Sequence, residues 1–202
     1  MDQGRRVSSP VARPSLCVYC GARPGLGEQW LRHAHLVGEA IAARGWRLVY
    51  GGGNVGLMGA VADAALANGA EVVGVIPERL LTLEVAHKGL SELVVVQTMH
   101  QRKQRMAELS QGFVALPGGI GTFEELFEVW TWRHLGYHQH PIGLLNVQGF
   151  FDGLLSFLAQ TETAGFTDAS QHAMLSIDSD ASALLDRMAG AMQTSTGSFQ
   201  LI

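Results

Sequence analysis

The sequence predicts an α/β fold in which one doubly wound parallel sheet forms a single domain. Three observations support this prediction. Short apolar runs alternate with helix-length segments along the chain, and no internal repeat is evident. The apolar runs are nearly continuous, which is typical of strands buried on both faces of a sheet. The segments between them are long enough to carry the chain from one parallel strand to the next over either face.

Six runs predict strands because they are short and rich in valine, leucine, isoleucine and aromatic residues. They are LCVY (16–19), RLVY (47–50), EVVGVI (71–76), LVVVQ (93–97), FVAL (113–116) and PIGLLN (141–146). The stretch TLEVAHKGLSE (82–92) has the least regular pattern. We expect it to form a loop near the ligand.

Six segments predict helices because alanine, leucine, glutamate, glutamine and arginine are frequent in them. They are residues 28–44, 57–68, 99–110, 122–135, 150–164 and 181–192. Ser179 and Asp180 precede the last helix and are candidates for its N-cap.

The two ends of the chain differ from this pattern. Residues 1–14 contain Arg5 and Arg6 but lack the continuous apolar segment of a secretory signal, so we expect a flexible leader. Residues 193–202 predict a flexible tail. The domain itself is expected to span residues 15–192.

Composition narrows the classes of partner. A chain of 202 residues with a formal charge of -4 carries no broad basic surface for nucleic acid, so we expect a small-molecule ligand. No run is long and apolar enough to span a bilayer, so no membrane partner is expected. Cys17 and Cys20 are expected to pack in the interior, which favours a cytoplasmic protein.

Two glycine-rich loops predict a phosphate site. Ligands collect at the carboxyl ends of parallel strands, and both loops follow a predicted strand. The first, YGGGNVGLMG (50–59), leaves its strand through Gly51, Gly52 and Gly53. Glycines allow a backbone to approach a ligand closely, and the helix that follows presents unpaired amides to an anion.

The second loop, in LPGGIGTFEEL (116–126), has the same arrangement. Pro117 ends the strand ladder, and Thr122 is expected to cap the next helix or to offer its hydroxyl to an anion. Gly118, Gly119 and Gly121 shape the turn between them.

Charged side chains flank the second loop. Glu124 and Glu125 are expected in the first turn of the helix, where the helix dipole favours carboxylates. In MHQRKQRMAEL (99–109), Arg102 falls on the apolar stripe and therefore predicts a guanidinium in a polar cleft beside Glu125. Lys103 is a candidate phosphate ligand, although for both Lys103 and Arg105 a solvated face is the simpler interpretation.

These motifs together resemble one family. PGGIGTFEE (117–125) is similar to the PGGxGTxxE signature of the LOG family, the cytokinin riboside 5'-monophosphate phosphoribohydrolases often mislabelled as lysine decarboxylases. The motif MHQRK and the segments YGGGNVGLMGAVADAAL and WTWRHLGYHQHPIGLLNVQGFFDGLL extend the resemblance over roughly residues 15–165. Ala22 and Thr98 depart from the residues that are frequent in the family.

The resemblance implies a homodimer with a Rossmann-like fold and no metal or organic cofactor. It implies hydrolysis of the N-glycosidic bond of AMP or N6-substituted AMP, which releases free base and ribose 5-phosphate. Arg102 and Glu125 match the catalytic pair of the family. The preferred base and the size of the oligomer beyond a dimer are left open.

Other functions remain as alternatives. A noncatalytic nucleotide-binding or carrier protein is the most serious, because a phosphate loop alone does not make an enzyme. Pyridoxal chemistry requires a placed lysine, and the chain contains only Lys88 and Lys103. A nicotinamide-dependent dehydrogenase is disfavoured because CGARPGLG (20–27) is not a dinucleotide turn. The histidines in RHLGYHQHP (133–141) lack a neighbouring carboxylate or thiol, so they do not predict a metal site.

Overall fold

The computed structural model describes residues 13–81 and 86–194. Its centre is a seven-stranded sheet with the order β4-β3-β2-β1-β5-β6-β7, in which every neighbouring pair is parallel. The strands are β1 (Ser15–Tyr19), β2 (Arg47–Tyr50), β3 (Val72–Pro77), β4 (Glu92–Val96), β5 (Gly112–Ala115), β6 (Ile142–Leu145) and β7 (Leu175–Asp178). The predicted doubly wound sheet in a single α/β domain is confirmed.

Seven α-helices connect and cover the strands in the described part of the chain. They are α1 (Gln29–Ala43), α2 (Gly56–Ala67), α3 (Met99–Glu108), α4 (Ile120–His134), α5 (Asp152–Thr163), α6 (Ala169–His172) and α7 (Ala181–Thr194). No helix among the described residues is both long enough and apolar enough to cross a membrane.

The prediction missed strand β7 and the short helix α6. Strand β7 lies at the edge of the sheet, and only Leu175 of its four residues is fully buried. An edge strand of this kind lacks the continuous apolar run by which the other six were predicted. Helix α6 has only four residues and is held by a capping box between Asp168 and Gln171.

One helix boundary differs from the prediction in a way that matters below. Helix α4 begins at Ile120, with Gly119 as its N-cap, so the expectation that Thr122 caps the helix is wrong. The alternative role of Thr122, a hydroxyl contact to an anion, stays a prediction. Because α4 begins at Ile120, Glu124 and Glu125 lie in the second turn. Helix α7 begins as expected, because the backbone N–H of Ala183 donates to Asp180 Oδ1 at 2.8 Å.

The predicted flexible ends lie mainly outside the described residues, which exclude 1–12 and 195–202. Where the structure does describe them, they join the fold. The carbonyl of Pro14 accepts a hydrogen bond from the Arg47 amide at 2.9 Å, and the last two residues of α7, 193 and 194, fall in the predicted tail.

The sheet is packed on both faces. Alternate residues of β1 point to opposite sides: Leu16 and Val18 pack with α1, α2 and α7, whereas Cys17 and Tyr19 pack with α3, α4 and α5. Both Cys17 and Cys20 are buried free thiols, as expected for packing cysteines. Burial raises the pKa of each thiol far above its ordinary value, so both stay protonated and unreactive.

Two histidines belong to the second face of the core. The His138 and His140 rings stack at 5.4 Å, and His138 also contacts Phe113. The Nε2 atom of His138 donates to the Val129 carbonyl at 2.9 Å, and its Nδ1 accepts the His140 amide at 3.1 Å. This pattern fixes a neutral imidazole, and burial lowers the pKa of His138 from 6.5 to about 4.

The neutral state of His138 predicts an acid-sensitive fold. Unfolding exposes a histidine of ordinary pKa, so the unfolded chain binds a proton that the folded chain does not. The contribution of the neutral His138 to the free energy of unfolding is fully present above pH 6.5. It is lost, by up to about 3 kcal/mol, as the pH falls towards 4. We expect denaturant titrations between pH 7.5 and 4.5 to show a shallower loss for His138→Gln than for the wild type.

The exposed His134 provides the matched control for this titration. The His134→Gln variant should keep the wild-type slope of stability against pH. An unchanged slope in His138→Gln would contradict the assignment to His138.

Candidate functional site

A cavity of about 820 Å³ opens at the carboxyl edge of the sheet. It lies where the chain reverses its direction of winding: strands β2, β3 and β4 lie on one side of β1, and β5, β6 and β7 lie on the other. The helices that follow β1 and β5 pack on opposite faces, so their connecting loops diverge and leave a crevice. Ligands of open α/β sheets bind at this topological position.

Backbone hydrogen bonds join the loops around the cavity to one another. The Gly21 amide, after β1, donates to the Pro117 carbonyl, after β5, at 3.1 Å. The Leu57 amide, at the start of α2, donates to the Gly21 carbonyl at 3.0 Å. A methyl group on Gly118 would overlap the Thr122 hydroxyl and lie 3.0 Å from the Gly21 amide nitrogen. This close approach explains the glycine at position 118.

The first turn of α4 forms part of the cavity wall. Residues 118–122 all line the cavity, and the Phe123 amide, bonded to the Gly119 carbonyl at 3.1 Å, makes the first bond of the helix. The preceding amides of Ile120, Gly121 and Thr122 have no intrahelical acceptor, as in any helix start. Together with the positive end of the helix dipole, they favour a phosphate or carboxylate.

Arg102 lines the cavity from its floor and is only 5% exposed. Its Nε donates to the Val75 carbonyl at 3.1 Å, and its Nη2 donates to the Gly51 carbonyl at 2.9 Å. These carbonyls belong to strand β3 and to the loop after β2, so the sheet edge itself fixes the guanidinium. Arg102 thus lies in a cleft at the carboxyl edge of the sheet, and its catalytic role stays a prediction.

Glu125 lines the same cavity from the second turn of α4 and is half-buried. Burial is the main cause that raises the pKa of the Cys20 thiol. The charge of Glu125 raises this pKa further, and the charge of Arg102 lowers it. The structure therefore brings the two sequence-predicted reactive side chains to one site.

Gly51, Gly52 and Gly53 of the first glycine-rich loop do not line this cavity, whereas Leu57 and Met58 at the end of that loop do. The Gly51 carbonyl holds Arg102, and a side chain at Gly51 would overlap the guanidinium. The Gly52 carbonyl accepts the His87 amide at 3.0 Å, and Gly53 pairs with Ala86. The phosphate role of Gly51, Gly52 and Gly53 thus stays a prediction. Of the expected loop at 82–92, residues 82–85 lie outside the described residues.

Lys103 also lies away from the cavity lining. It is buried between α3 and α4, where its Nζ contacts Glu124 and donates to Glu128 Oε1 at 2.9 Å. The expectation of a solvated face is wrong for Lys103, because two carboxylates of α4 make its burial possible. The same expectation is confirmed for Arg105, which is exposed and pairs with Glu108 at 3.2 Å.

The sequence analysis did not identify the mouth of the cavity. Arg23, exposed in the loop after β1, is the second arginine of the lining. An apolar wall is formed by Trp30 and Phe150, whose rings meet edge to face at 5.7 Å, with Leu26 and Ile120 almost fully exposed beside them. The only signal in the sequence was their place near the starts of the helices that follow β1, β5 and β6.

Comparison with known proteins identifies the family. A family model described as "Possible lysine decarboxylase" matches residues 58–188. A cytokinin riboside 5'-monophosphate phosphoribohydrolase of Rhodococcoides fascians is 53% identical over 162 residues, covering 78% of this chain and 82% of the relative. The chain belongs to the LOG family. A further LOG-family protein of the same name, from Arabidopsis thaliana, is 44% identical over 155 residues, covering 77% of this chain and 73% of the relative.

Solved structures share the fold of this LOG-family chain. The molybdenum cofactor carrier protein of Chlamydomonas reinhardtii superposes with a TM-score of 0.68 at 21% sequence identity, covering 90% of this chain and 99% of that chain. A likeness at this level of identity concerns the fold alone.

The words "lysine decarboxylase" suggest pyridoxal chemistry, which requires a lysine in the site. The residues do not fit such a group. Lys88 is exposed, Lys103 is bound to carboxylates, and neither is among the described residues that line the cavity. The expectation that this LOG-family chain uses no pyridoxal cofactor therefore stays a prediction that agrees with its lysine positions.

The close packing at Gly118 leads to a stability prediction. We expect Gly118→Ala to lower the free energy of unfolding by about 1–3 kcal/mol, because the added methyl group must displace the Thr122 hydroxyl or the loop after β1. Gly190→Ala is the control, since a methyl group there meets no atom within 4 Å and alanine favours the helix. Equal effects of the two substitutions, measured by urea denaturation, would contradict the role of Gly118.

Proposed function

We propose that this chain hydrolyses the N-glycosidic bond of adenosine-type 5'-monophosphates and releases free base and ribose 5-phosphate. One observation carries the proposal: a single cavity combines the amide-rich start of α4, the fixed Arg102, the Glu125 carboxylate and an apolar mouth. Relatives that share up to 53% identity are named phosphoribohydrolases of cytokinin riboside 5'-monophosphates.

The start of α4 would bind the 5'-phosphate. The amides of Ile120, Gly121 and Thr122 face the cavity with the positive end of a 15-residue helix behind them. Arg23 lies across the same cavity and is exposed, so it can reach a phosphate that enters from solvent. A phosphate bound in this way would place the ribose deeper in the cavity, towards Arg102 and Glu125.

Cleavage needs a negative charge near the ribose. As the C1'–N bond breaks, positive charge develops on the sugar, and a carboxylate such as Glu125 stabilises it. Water adds its oxygen to C1', and the departing base gains the proton that the water loses. Glu125 can orient this water, accept its proton transiently and so relay the proton towards the departing base. The neighbouring positive charge of Arg102 favours the ionised form of Glu125 that both tasks require.

The apolar mouth would receive the base. The edge-to-face pair of Trp30 and Phe150 offers flat apolar surface on which a purine can stack. The exposed Leu26 and Ile120 extend this surface outwards, where an N6 substituent would point. Both AMP and N6-isoprenoid AMP are thus candidate substrates.

Two further properties belong to the proposal. A homodimer is supported by apolar side chains left exposed near the site, among them Met99 at 42% and Phe127 at 36%. A cytoplasmic location is supported by the two buried free thiols, which are typical of proteins in reducing compartments.

The decisive experiment is chromatographic detection of free base. Purified wild-type protein is expected to release adenine from AMP and N6-isopentenyladenine from its riboside 5'-monophosphate. We expect Glu125→Gln to lower kcat by about 10²–10⁴-fold while nucleotide affinity changes only a few-fold, because the amide keeps its shape and loses its charge. Glu108→Gln, at an exposed site outside the cavity lining, is the control and should keep full activity.

The competing function is that of a nucleotide carrier. Its supporting observation is that the amides of α4 would bind a phosphate whether or not cleavage follows. Wild-type protein that binds both nucleotides and leaves them intact would favour the carrier and remove the hydrolytic role of Glu125.

A second test addresses the phosphate. Arg23→Ala is expected to raise KM for AMP about tenfold or more, because a charge-assisted contact to the phosphate is lost, and to leave cleavage of adenosine unchanged. Arg32→Ala, an exposed arginine of α1 outside the cavity lining, should leave both substrates unaffected. If Arg23→Ala lowered kcat/KM equally for AMP and for adenosine, the result would show that Arg23 does not bind the phosphate.

A further inference from the structure

An ion cluster around the buried Lys103 joins α3 to α4 beside the cavity. Lys103 of α3 is 7% exposed and contacts two carboxylates one turn apart on α4. Its Nζ donates to Glu128 Oε1 at 2.9 Å and forms a second charged hydrogen bond with Glu124. Although burial by itself lowers the pKa of Lys103, the two carboxylates raise it above the ordinary value, so the lysine stays charged.

Such a cluster resists movement of one helix along the other. A charged ammonium group that loses its carboxylates inside the protein pays a large desolvation cost. Because the partners lie at positions i and i+4 of α4, the lysine opposes both sliding and rotation of that helix. Glu128 is itself mostly buried, with 23% of its side chain exposed, so solvent screens this pair only weakly.

The cluster is adjacent in sequence to both reactive side chains. Lys103 follows Arg102 directly in α3, and Glu124 precedes Glu125 directly in α4. Arg102 is fixed to the sheet by backbone carbonyls, and Glu125 belongs to α4. The register of α4 against α3 therefore determines where the carboxylate lies relative to the guanidinium.

We propose that Lys103 is a positioning residue, whose two ion pairs hold α4 against α3 and so set the place of the Glu125 carboxylate in the cavity. This role rests on the proposed hydrolysis and goes beyond it, because Lys103 would act without touching the nucleotide. It differs from a phosphate ligand, which would contribute to binding.

The test separates binding from turnover. In Lys103→Met, which keeps the length of the side chain and removes its charge, we expect kcat for AMP to fall at least tenfold, because small displacements of reacting groups are costly. The dissociation constant for AMP, measured by calorimetry in the Glu125→Gln background, should change less than threefold. Lys103→Arg should recover part of kcat, since it restores a positive charge to both carboxylates.

Arg105→Met is the matched control because Arg105 lies on the same helix, is exposed and pairs only locally. It should leave kcat unchanged. Hydrogen exchange is a readout that needs no turnover: amides of residues 120–134 should exchange faster in Lys103→Met than in Arg105→Met. If Lys103→Met does not fold, Glu124→Gln and Glu128→Gln carry the same test, since each keeps one ion pair.

Three results would overturn the proposal. An unchanged kcat in a folded Lys103→Met or in both glutamine variants would remove the positioning role. A weaker AMP affinity at unchanged kcat would make Lys103 a ligand of the nucleotide. Unchanged exchange in α4 would show that the ion pairs do not hold the helix. Failure of the wild type to release adenine would instead contradict the proposed hydrolysis, and the exchange data would still decide the role of Lys103.

Discussion

The buried guanidinium of Arg102 is the constraint on which the rest of the site depends. A charge that is 5% exposed must be compensated by the protein, and here the carbonyls of Gly51 and Val75 do so at 2.9 and 3.1 Å. These carbonyls belong to strand β3 and to the loop after the neighbouring parallel strand β2. The sheet therefore determines the position of the Arg102 guanidinium, and the loops and helices that line the cavity surround this group.

The two glycine-rich loops have different tasks in this arrangement. The first lets α3 bring its arginine against the backbone, where any side chain at Gly51 would collide with it. The second lets the loop after β5 approach the loop after β1, so that residues 118–122 line the cavity. Similar sequences thus make different contacts in the two places, because a different strand end lies beside each.

The sequence alone predicted most of this architecture. Six of the strands and the placement of Arg102 and Glu125 at one cavity follow from apolar runs, strand order and the cost of burying a guanidinium. The edge strand β7 was missed because three of its four residues are not fully buried. Burial of Lys103 depends on Glu124 and Glu128 of another helix, and the apolar wall of Trp30 and Phe150 joins residues 120 positions apart, so neither could be inferred from local patterns.

A crystal structure of the Glu125→Gln variant with AMP would show whether one cavity holds the whole nucleotide about the fixed arginine. We expect the phosphate against the amides of residues 120–122, the ribose between Arg102 and position 125, and the adenine on Trp30 and Phe150. A phosphate bound at residues 51–53, or a ribose out of reach of position 125, would contradict this expectation.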